Sequence, residues 1–123
     1  DMKISSSGNR VVPDNDPTAH AEVSAIRKAS SELGTFDLSD CTIYASCEPC
    51  PMCLGAIYWA GIRRVVYASD RFSAAAAGFS DEMIYREINL SNDRKSIVMD
   101  QGMSAEGEKV FDAWDRFDGK VRY

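Results

Sequence analysis

The chain has 123 residues, of which 45% are hydrophobic, so we predict one globular domain over residues 1–123 rather than two domains with small cores. Fourteen Lys and Arg against nineteen Asp and Glu give a net charge of -5, and no basic cluster offers a surface for a phosphate backbone, so no nucleic-acid partner is predicted. The absence of a long apolar run and of a signal-peptide pattern predicts a cytoplasmic protein without a membrane partner.

The first third of the chain predicts a strand, a loop and a helix. The run MKISSS (2–7) predicts a strand, and GNRVVPDNDP (8–17) predicts a loop because it is rich in turn-forming residues. A helix is predicted next, with Asp16 as its cap, Pro17 at its first position and an end near Gly34.

The rest of the chain alternates strands and helices. The runs CTIYAS (41–46) and RRVVYAS (63–69) predict strands on either side of an apolar helix, PCPMCLGAIYWA (49–60). Later runs predict a helix, a short strand and an amphipathic helix, in that order: DEMIYREI (81–88), SIVMD (96–100) and AEGEKVFDAWDRF (105–117). This alternation predicts an α/β domain in which the first two of these strands are parallel through a right-handed crossover.

Residues capable of chemistry collect at the starts of two predicted helices. Ligand sites in open α/β sheets lie beyond the carboxyl ends of strands, where the following helices begin. His20, the only histidine, and Glu22 stand at one helix start, and Cys50 and Cys53 stand at the other. Side chains two positions apart on a helix point about 200° away from each other, so His20 and Glu22 can serve one site only if it caps the helix end.

The types of these residues predict an open metal site. One imidazole and two thiolates, from His20, Cys50 and Cys53, are good zinc ligands and leave the fourth tetrahedral position for water. We therefore predict one Zn²⁺ per chain. Glu22 is predicted to shuttle the proton that zinc makes acidic on water.

Simpler interpretations of the same residues exist. A histidine at a helix start is usually a surface or capping residue, and cysteine is among the most buried residue types. A closed site with four thiolate ligands is also conceivable, because Cys41 and Cys47 lie near Cys50 and Cys53, but it leaves the histidine unexplained. The first two cysteines are more simply small residues at the ends of a buried strand.

The pairing of His20-Ala21-Glu22 with Pro49-Cys50-Pro51-Met52-Cys53 resembles the H-x-E and P-C-x-x-C signature of zinc-dependent nucleobase deaminases. The resemblance implies a three-layer α-β-α, cytidine deaminase-like fold with a five-stranded sheet, and it implies the role of Glu22. The family's first helix and first strand, with a Gly-Pro-Phe-Gly segment lining the base pocket, have no counterpart in this sequence. We therefore expect an exposed sheet edge and one open pocket wall.

Within that family the segments DPTAHAEV, SCEPCPMCLGAIYWA, GFSDEMIYREI and the terminal VRY look most like the bacterial guanine deaminases. The resemblance implies that Asn9 and Ala21 bind the base and that Asp81 assists proton transfer. It also implies that Tyr123 closes the partner's pocket in a homodimer with exchanged C-terminal segments. Taken alone, Asn9 is an ordinary turn residue, Asp81 a helix cap and a terminal tyrosine a frayed end.

We therefore predict a hydrolase that acts on a cyclic amidine and converts free guanine to xanthine and ammonia. A tRNA adenosine deaminase shares both motifs, but the acidic composition disfavours it because tRNA binding depends on phosphate contacts. Cytosine, nucleoside and pterin-like substrates stay open, as does a non-catalytic zinc-stabilised module. Four large apolar side chains are predicted to lie in the core and not in the pocket: Met52, Trp59, Phe111 and Trp114.

Overall fold

The computed structural model describes residues 2–123, which form helices and a parallel pair of strands in the order that follows. The elements are α1 (Val11–Asp14), α2 (Ala21–Leu33), β1 (Thr42–Cys47), α3 (Pro51–Trp59), β2 (Arg64–Ser69), α4 (Arg71–Ala76), α5 (Glu82–Glu87), a 3-10 helix (Asn92–Arg94) and α6 (Ser104–Arg116). They fall into two compact units, unit 1 ending at Tyr85 and unit 2 comprising Arg86–Tyr123. Across residues 2–123, no helix combines the length and apolar composition that a membrane crossing requires.

The sheet of unit 1 is the parallel pair β1 and β2. Thr42 pairs with Arg64 at one end and Cys47 with Ser69 at the other, and α3 provides the connection between the strands. The Glu48 N–H donates to the Ser69 carbonyl at 2.8 Å and continues the ladder one residue beyond β1. The predicted α/β class and the predicted parallel pairing of these two strands are confirmed.

Helix α2 begins four residues later than the predicted first position, Pro17. The Asp16 carboxylate accepts hydrogen bonds from the Thr18 N–H at 2.8 Å and the Thr18 hydroxyl at 2.7 Å, so it closes a local turn instead of capping the helix. His20 takes the cap position in an extended conformation. The predicted end is confirmed, because Gly34 follows the helix with a φ of 66°, a left-handed conformation that suits glycine.

The core of unit 1 lies where α2, α3 and β1 pack together. Its buried members come from these elements and the connections beside them: Ala29, Leu38, Ile43, Ile57, Ala60 and Ile62. After α3 the chain turns at Gly61, whose φ is 73° and whose missing Cβ would meet the Asp37 Oδ1 atom at 3.3 Å. The core thus holds α2 and α3 in contact, so that the residues directly before the two helices lie close together.

The predicted strands at residues 2–7 and 96–100 are wrong. A strand forms only where another backbone segment pairs with it. Residues 2–7 form no strand in the described chain; the Ser5 hydroxyl donates to the Ala25 carbonyl of α2 at 2.8 Å, so the segment is attached to a helix. Residues 96–100 also form no strand. Ser96 is bonded through its N–H and hydroxyl to the Glu87 carboxylate, and Val98 is 88% exposed, so its apolar side chain has no buried face to occupy.

Two short helices were not predicted. Helix α1 interrupts the predicted loop at residues 8–17 and carries an ion pair between Arg10 and Asp14 at 2.6 Å, the i, i+4 spacing that supports a helical turn. Helix α4 follows β2 directly, with the Asp70 carboxylate accepting from the Ser73 N–H at 2.8 Å.

The prediction that the large aromatic residues lie in the core is wrong for the single chain. Trp59, at the end of α3 in unit 1, is 69% exposed. In unit 2, Phe111 is 67% exposed and Trp114 is 40% exposed on α6. Met52 is half-buried.

Candidate active site

Three predicted metal ligands meet at one point of unit 1. The His20 Nδ1 atom lies 3.5 Å from the Cys50 sulfur and 3.5 Å from the Cys53 sulfur, and the three ligand atoms lie within 4.8 Å of one another. A tetrahedral zinc ion with a Zn–N distance of about 2.05 Å and Zn–S distances of about 2.3 Å would separate nitrogen from sulfur by about 3.5 Å. The side chains therefore fit a zinc ion at its ordinary bond lengths.

The ligands converge because two of them are helix caps. His20 is the N-cap of α2, and Cys50 is the N-cap of α3, with Pro51 at the first helical position. Cys53 lies in the first turn, and its N–H donates to the Cys50 sulfur at 3.4 Å. Both helix starts direct backbone N–H groups and the positive end of the helix dipole toward this place, which stabilises thiolates.

Glu22 lies in the same site, as predicted from the helix end. Because His20 stands outside the helix in an extended conformation, its ring and the Glu22 carboxylate of the first turn can reach one point. The Cys53 thiol donates to Glu22 Oε2 at 3.5 Å. Glu22 thus touches a metal-ligand residue, at a place where it could exchange a proton with a molecule bound beside the three ligands.

The neighbouring thiols of Cys50 and Cys53 shift each other's pKa in opposite directions. The hydrogen bond from the Cys53 thiol lowers the pKa of Cys50 to about 6, with a further contribution from His20. The pKa of Cys53 is raised by the same pairing with Cys50, by burial and by the negative charge of Glu22. A bound dication would reverse the second effect, because zinc ligands are thiolates.

The other two cysteines do not complete a closed metal site among the described residues. Cys47 directs its thiol to the Asp70 carbonyl at 3.7 Å, and Cys41 is partly buried against the core of unit 1. The group of side chains that could hold a metal in residues 2–123 comprises His20, Cys50 and Cys53. The open three-ligand arrangement is the one that the geometry supports.

A cavity of about 1390 Å³ opens beside the metal ligands in unit 1. Its lining includes three residues for which the family resemblance implies a role, Asn9, Ala21 and Asp81, together with His20 and Glu22. This volume exceeds the roughly 300 to 1,000 Å³ of ordinary small-molecule pockets, so a free base would fill only the part next to the ligands.

The candidate substrate residues differ in how they are held. The Asn9 Oδ1 atom accepts the Val11 N–H at 3.0 Å, which is the local turn that its alternative interpretation predicts and which leaves the amide Nδ2 group as a donor. Asp81 is half-buried, and its backbone carbonyl accepts from the Ile84 N–H at 3.0 Å at the start of α5. Tyr123 belongs to unit 2 and is 81% exposed.

Sequence analysis missed the residues that support the Cys50 loop. Glu48 accepts the Arg71 N–H at 3.0 Å, and the Tyr85 hydroxyl donates to the Pro49 carbonyl at 3.0 Å. These partners are 23 and 36 residues apart, so no local pattern reveals them. The only signal was the position of Glu48 and Pro49 directly before the ligand Cys50.

Comparison with known proteins identifies a family model that matches this chain and proteins that are similar to it. The model for the cytidine and deoxycytidylate deaminase zinc-binding region matches residues 1–69. Guanine deaminase from Bacillus subtilis (strain 168) is 50% identical over 120 residues, which is 98% of this chain and 77% of that protein.

Solved structures agree with this likeness. The X-ray structure of guanine deaminase from Bacillus subtilis has a TM-score of 0.90 at 48% identity, over 98% of this chain and 76% of that one. A structure from a study of tRNA:A34 deaminases that edit adenosine to inosine at the wobble position has a TM-score of 0.56 at 34% identity. It covers 88% of this chain and 75% of that one.

Proposed function

The chain belongs to the family of deaminases with the cytidine and deoxycytidylate deaminase zinc-binding region, and we propose that it hydrolyses free guanine to xanthine and ammonia. The observation that carries the reaction is the meeting of Glu22 with His20, Cys50 and Cys53 at one end of the cavity. The choice of guanine follows from the 50% identity to a guanine deaminase over nearly the whole chain.

Each side chain of the site has a defined task in this reaction. His20, Cys50 and Cys53 would hold a zinc ion, which would act as a Lewis acid and bring the pKa of a bound water towards neutrality. Glu22 accepts a proton from the attacking water, whose oxygen bonds to the ring carbon that carries the exocyclic amine. The C–N bond then breaks, and Glu22 returns the proton to the departing nitrogen, so that ammonia leaves and xanthine remains.

The polar residues of the cavity support selection of guanine. Asn9 retains a free amide donor for a ring nitrogen or the carbonyl of the base, and Asp81 can accept an N–H or relay a proton. Adenine lacks that carbonyl and carries its amine elsewhere on the ring. A base that leaves such groups buried and unpaired costs about 1 to 3 kcal/mol for each group.

The second candidate is deamination of adenosine in tRNA, favoured by the likeness to the structure from the tRNA:A34 deaminase study over 88% of this chain. The net charge of -5 argues against it, because RNA binding depends strongly on cationic contacts to phosphate. A non-catalytic zinc-stabilised module is the candidate from a different class, and it predicts bound zinc without turnover.

A homodimer in which Tyr123 closes the partner's pocket, and a cytoplasmic location, are also proposed. The dimer is supported by exposed aromatic surface within each unit: Tyr58 and Trp59 on α3, and Phe111 on α6. Such surface is more often covered by a partner than left in water. The role of Tyr123 follows the resemblance alone.

The deciding experiment measures ammonia release and kcat/KM for guanine, adenine, cytosine and an RNA stem-loop that contains adenosine. We expect guanine to be the preferred substrate, with Asn9→Ala weakening the preference over adenine and Asp81→Ala mainly lowering kcat. Faster turnover of the stem-loop would transfer the assignment to tRNA, and zinc binding without turnover of any substrate would leave the non-catalytic module.

A further inference from the structure

The loop that carries Cys50 is attached to elements that follow β2. Between β1 and α3, the Glu48 carboxylate accepts the N–H of Arg71, the first residue of α4, at 3.0 Å. The next residue, Pro49, accepts the Tyr85 hydroxyl through its carbonyl at 3.0 Å. The two residues before the candidate ligand Cys50 are therefore both hydrogen-bonded to later elements. Glu48 is bonded to the backbone of α4, and Pro49 is bonded to a side chain of α5.

Loss of the hydrogen bond to the Pro49 carbonyl would destabilise the loop that carries Cys50. Pro49 is buried, and a buried carbonyl without a donor is unfavourable, so the loop would shift or admit water. Tyr85 is half-buried, and burial raises the pKa of its hydroxyl, which keeps it protonated and able to donate. The adjoining residue is Cys50, so any shift at Pro49 reaches the ligand directly.

Arg71 holds the ring of Tyr85 in place. Its guanidinium lies 4.7 Å from the centroid of the Tyr85 ring, a cation–π contact, while its backbone N–H is bonded to Glu48. One residue thus contacts both the loop and the tyrosine that donates to the loop. The arrangement restricts the rotation of the Tyr85 ring.

Tyr85 also connects the loop to Asp81. The two residues lie four apart, and the Tyr85 N–H donates to the Asp81 carbonyl at 3.2 Å at the start of α5. Asp81 lines the same cavity as Glu22. The position of Asp81 relative to the metal ligands therefore depends on how firmly α5 is held to the loop.

We propose that Tyr85 is a positioning residue, whose hydroxyl bond to the Pro49 carbonyl fixes the Cys50 loop and the start of α5 relative to each other, with Arg71 steadying its ring. This inference rests on the proposed function in one respect, because Asp81 is taken to act in guanine deamination. The effect on the metal ligand does not depend on the substrate.

The test is Tyr85→Phe, which removes the hydroxyl and keeps the ring. We expect zinc to leave for a chelator about 10-fold faster or more, and kcat for guanine at saturating zinc to fall about 10- to 100-fold with little change in KM. Tyr67→Phe is the matched control, because Tyr67 is 48% exposed on β2 and has no role in the site or the proposed dimer surface, and it should change neither quantity.

A second variant tests the coupling. Arg71→Leu should give a smaller defect of the same kind, and it should add little in the Tyr85→Phe background, because the ring has nothing left to position. Fully additive defects would overturn the role given to Arg71.

Wild-type zinc release and wild-type kcat in Tyr85→Phe would overturn the proposal. A lower unfolding temperature with both quantities unchanged would do so too, because it would show a purely structural role. If the wild-type protein does not deaminate guanine, the proposed function fails, but the zinc-release comparison with Tyr67→Phe still decides whether Tyr85 positions the ligand loop.

Discussion

Unit 1 and unit 2 differ in what they bury. The buried hydrophobic residues of the described chain all lie in unit 1, and the candidate metal ligands lie directly beside that core. In unit 2 no described residue is buried in the single chain, and α6 exposes apolar side chains such as Phe111. The difference teaches that the candidate metal ligands lie beside a buried core, whereas the apolar side chains of unit 2 are exposed in the single chain.

The largest difference between the units should appear in kcat when one glutamate of each unit is replaced by glutamine. Glu22→Gln in unit 1 should retain zinc and fold while kcat falls by roughly 10²- to 10⁴-fold, because the amide cannot carry the proton. Glu108→Gln, on the exposed helix α6 of unit 2, should leave kcat unchanged. Turnover and metal content would be measured together. Near-normal turnover in Glu22→Gln would remove this residue from the mechanism.

The next difference concerns stability. Ile57 is 2% exposed in the core of unit 1, so Ile57→Ala should lower the free energy of unfolding by about 2 to 5 kcal/mol. Phe111→Ala should cost less than about 1 kcal/mol in a monomer, because most of that ring is already in water. Urea unfolding at several protein concentrations measures both. If Phe111→Ala lowered the free energy of unfolding as much as Ile57→Ala does, and by more at higher protein concentration, a partner would cover α6.

A smaller effect is expected at the chain end in unit 2. Deleting the last three residues, VRY, should raise KM for guanine by roughly 10-fold, the loss of about 1.4 kcal/mol of binding, while the unfolding temperature changes little. The reason is that Tyr123 is proposed to supply binding surface to a partner and no core. Sedimentation of the intact chain as a fully active monomer would contradict the exchange of C-terminal segments.

Local sequence signals located the helix starts at which the candidate site residues meet, whereas elements that need distant partners were harder to predict. The role of Glu22 came from the resemblance to the deaminase family. His20, Cys50 and Cys53 were identifiable as candidate ligands because helix starts are marked by local signals, such as Pro51 at the first position of α3, and because ligand chemistry is carried by residue type. These signals act within a few residues, so they survive without knowledge of the tertiary structure.

The features that depend on distant partners were not predictable. Residues 2–7 have the composition of a strand, but a strand exists only when another backbone pairs with it. The bond from Tyr85 to Pro49 joins residues 36 apart, and nothing in either segment announces the other. The Asp16 carboxylate could cap a helix or close a turn, and the turn prevails through two bonds to Thr18.

The last prediction separates the units by the pH dependence of their stability when no metal is bound. The pKa of Cys50 is lowered to about 6 in the folded state, mainly by the hydrogen bond from Cys53, and it returns to its ordinary value of 9.0 on unfolding. An acidic group whose pKa is lower in the folded state contributes its full stabilisation when the pH is above its pKa in the unfolded chain. That contribution is lost as the pH falls through its pKa in the folded state. The stability of unit 1 should therefore rise between about pH 6 and pH 9.

Two other groups limit this window. Because the pKa of Cys53 is raised, its proton is lost more readily from the unfolded chain, so stability should fall again above pH 9. In unit 2, hydrogen bonds from Ser96 lower the pKa of Glu87, and that contribution is complete above the ordinary pKa of 4.5 and is lost only in more acidic solution. Unit 2 should therefore show no change between pH 6 and pH 9.

The chain provides a reporter for each unit, because its two tryptophans are Trp59 in unit 1 and Trp114 in unit 2. Urea unfolding with a chelator present, followed by fluorescence in Trp114→Phe and in Trp59→Phe, should show a midpoint that rises with pH for Trp59 alone. Cys50→Ser should abolish the rise, since no thiolate remains to be stabilised. A rise that persists in Cys50→Ser would show that ionisation of Cys50 is not its source. A rise that both tryptophans report equally would show that the two units unfold as one.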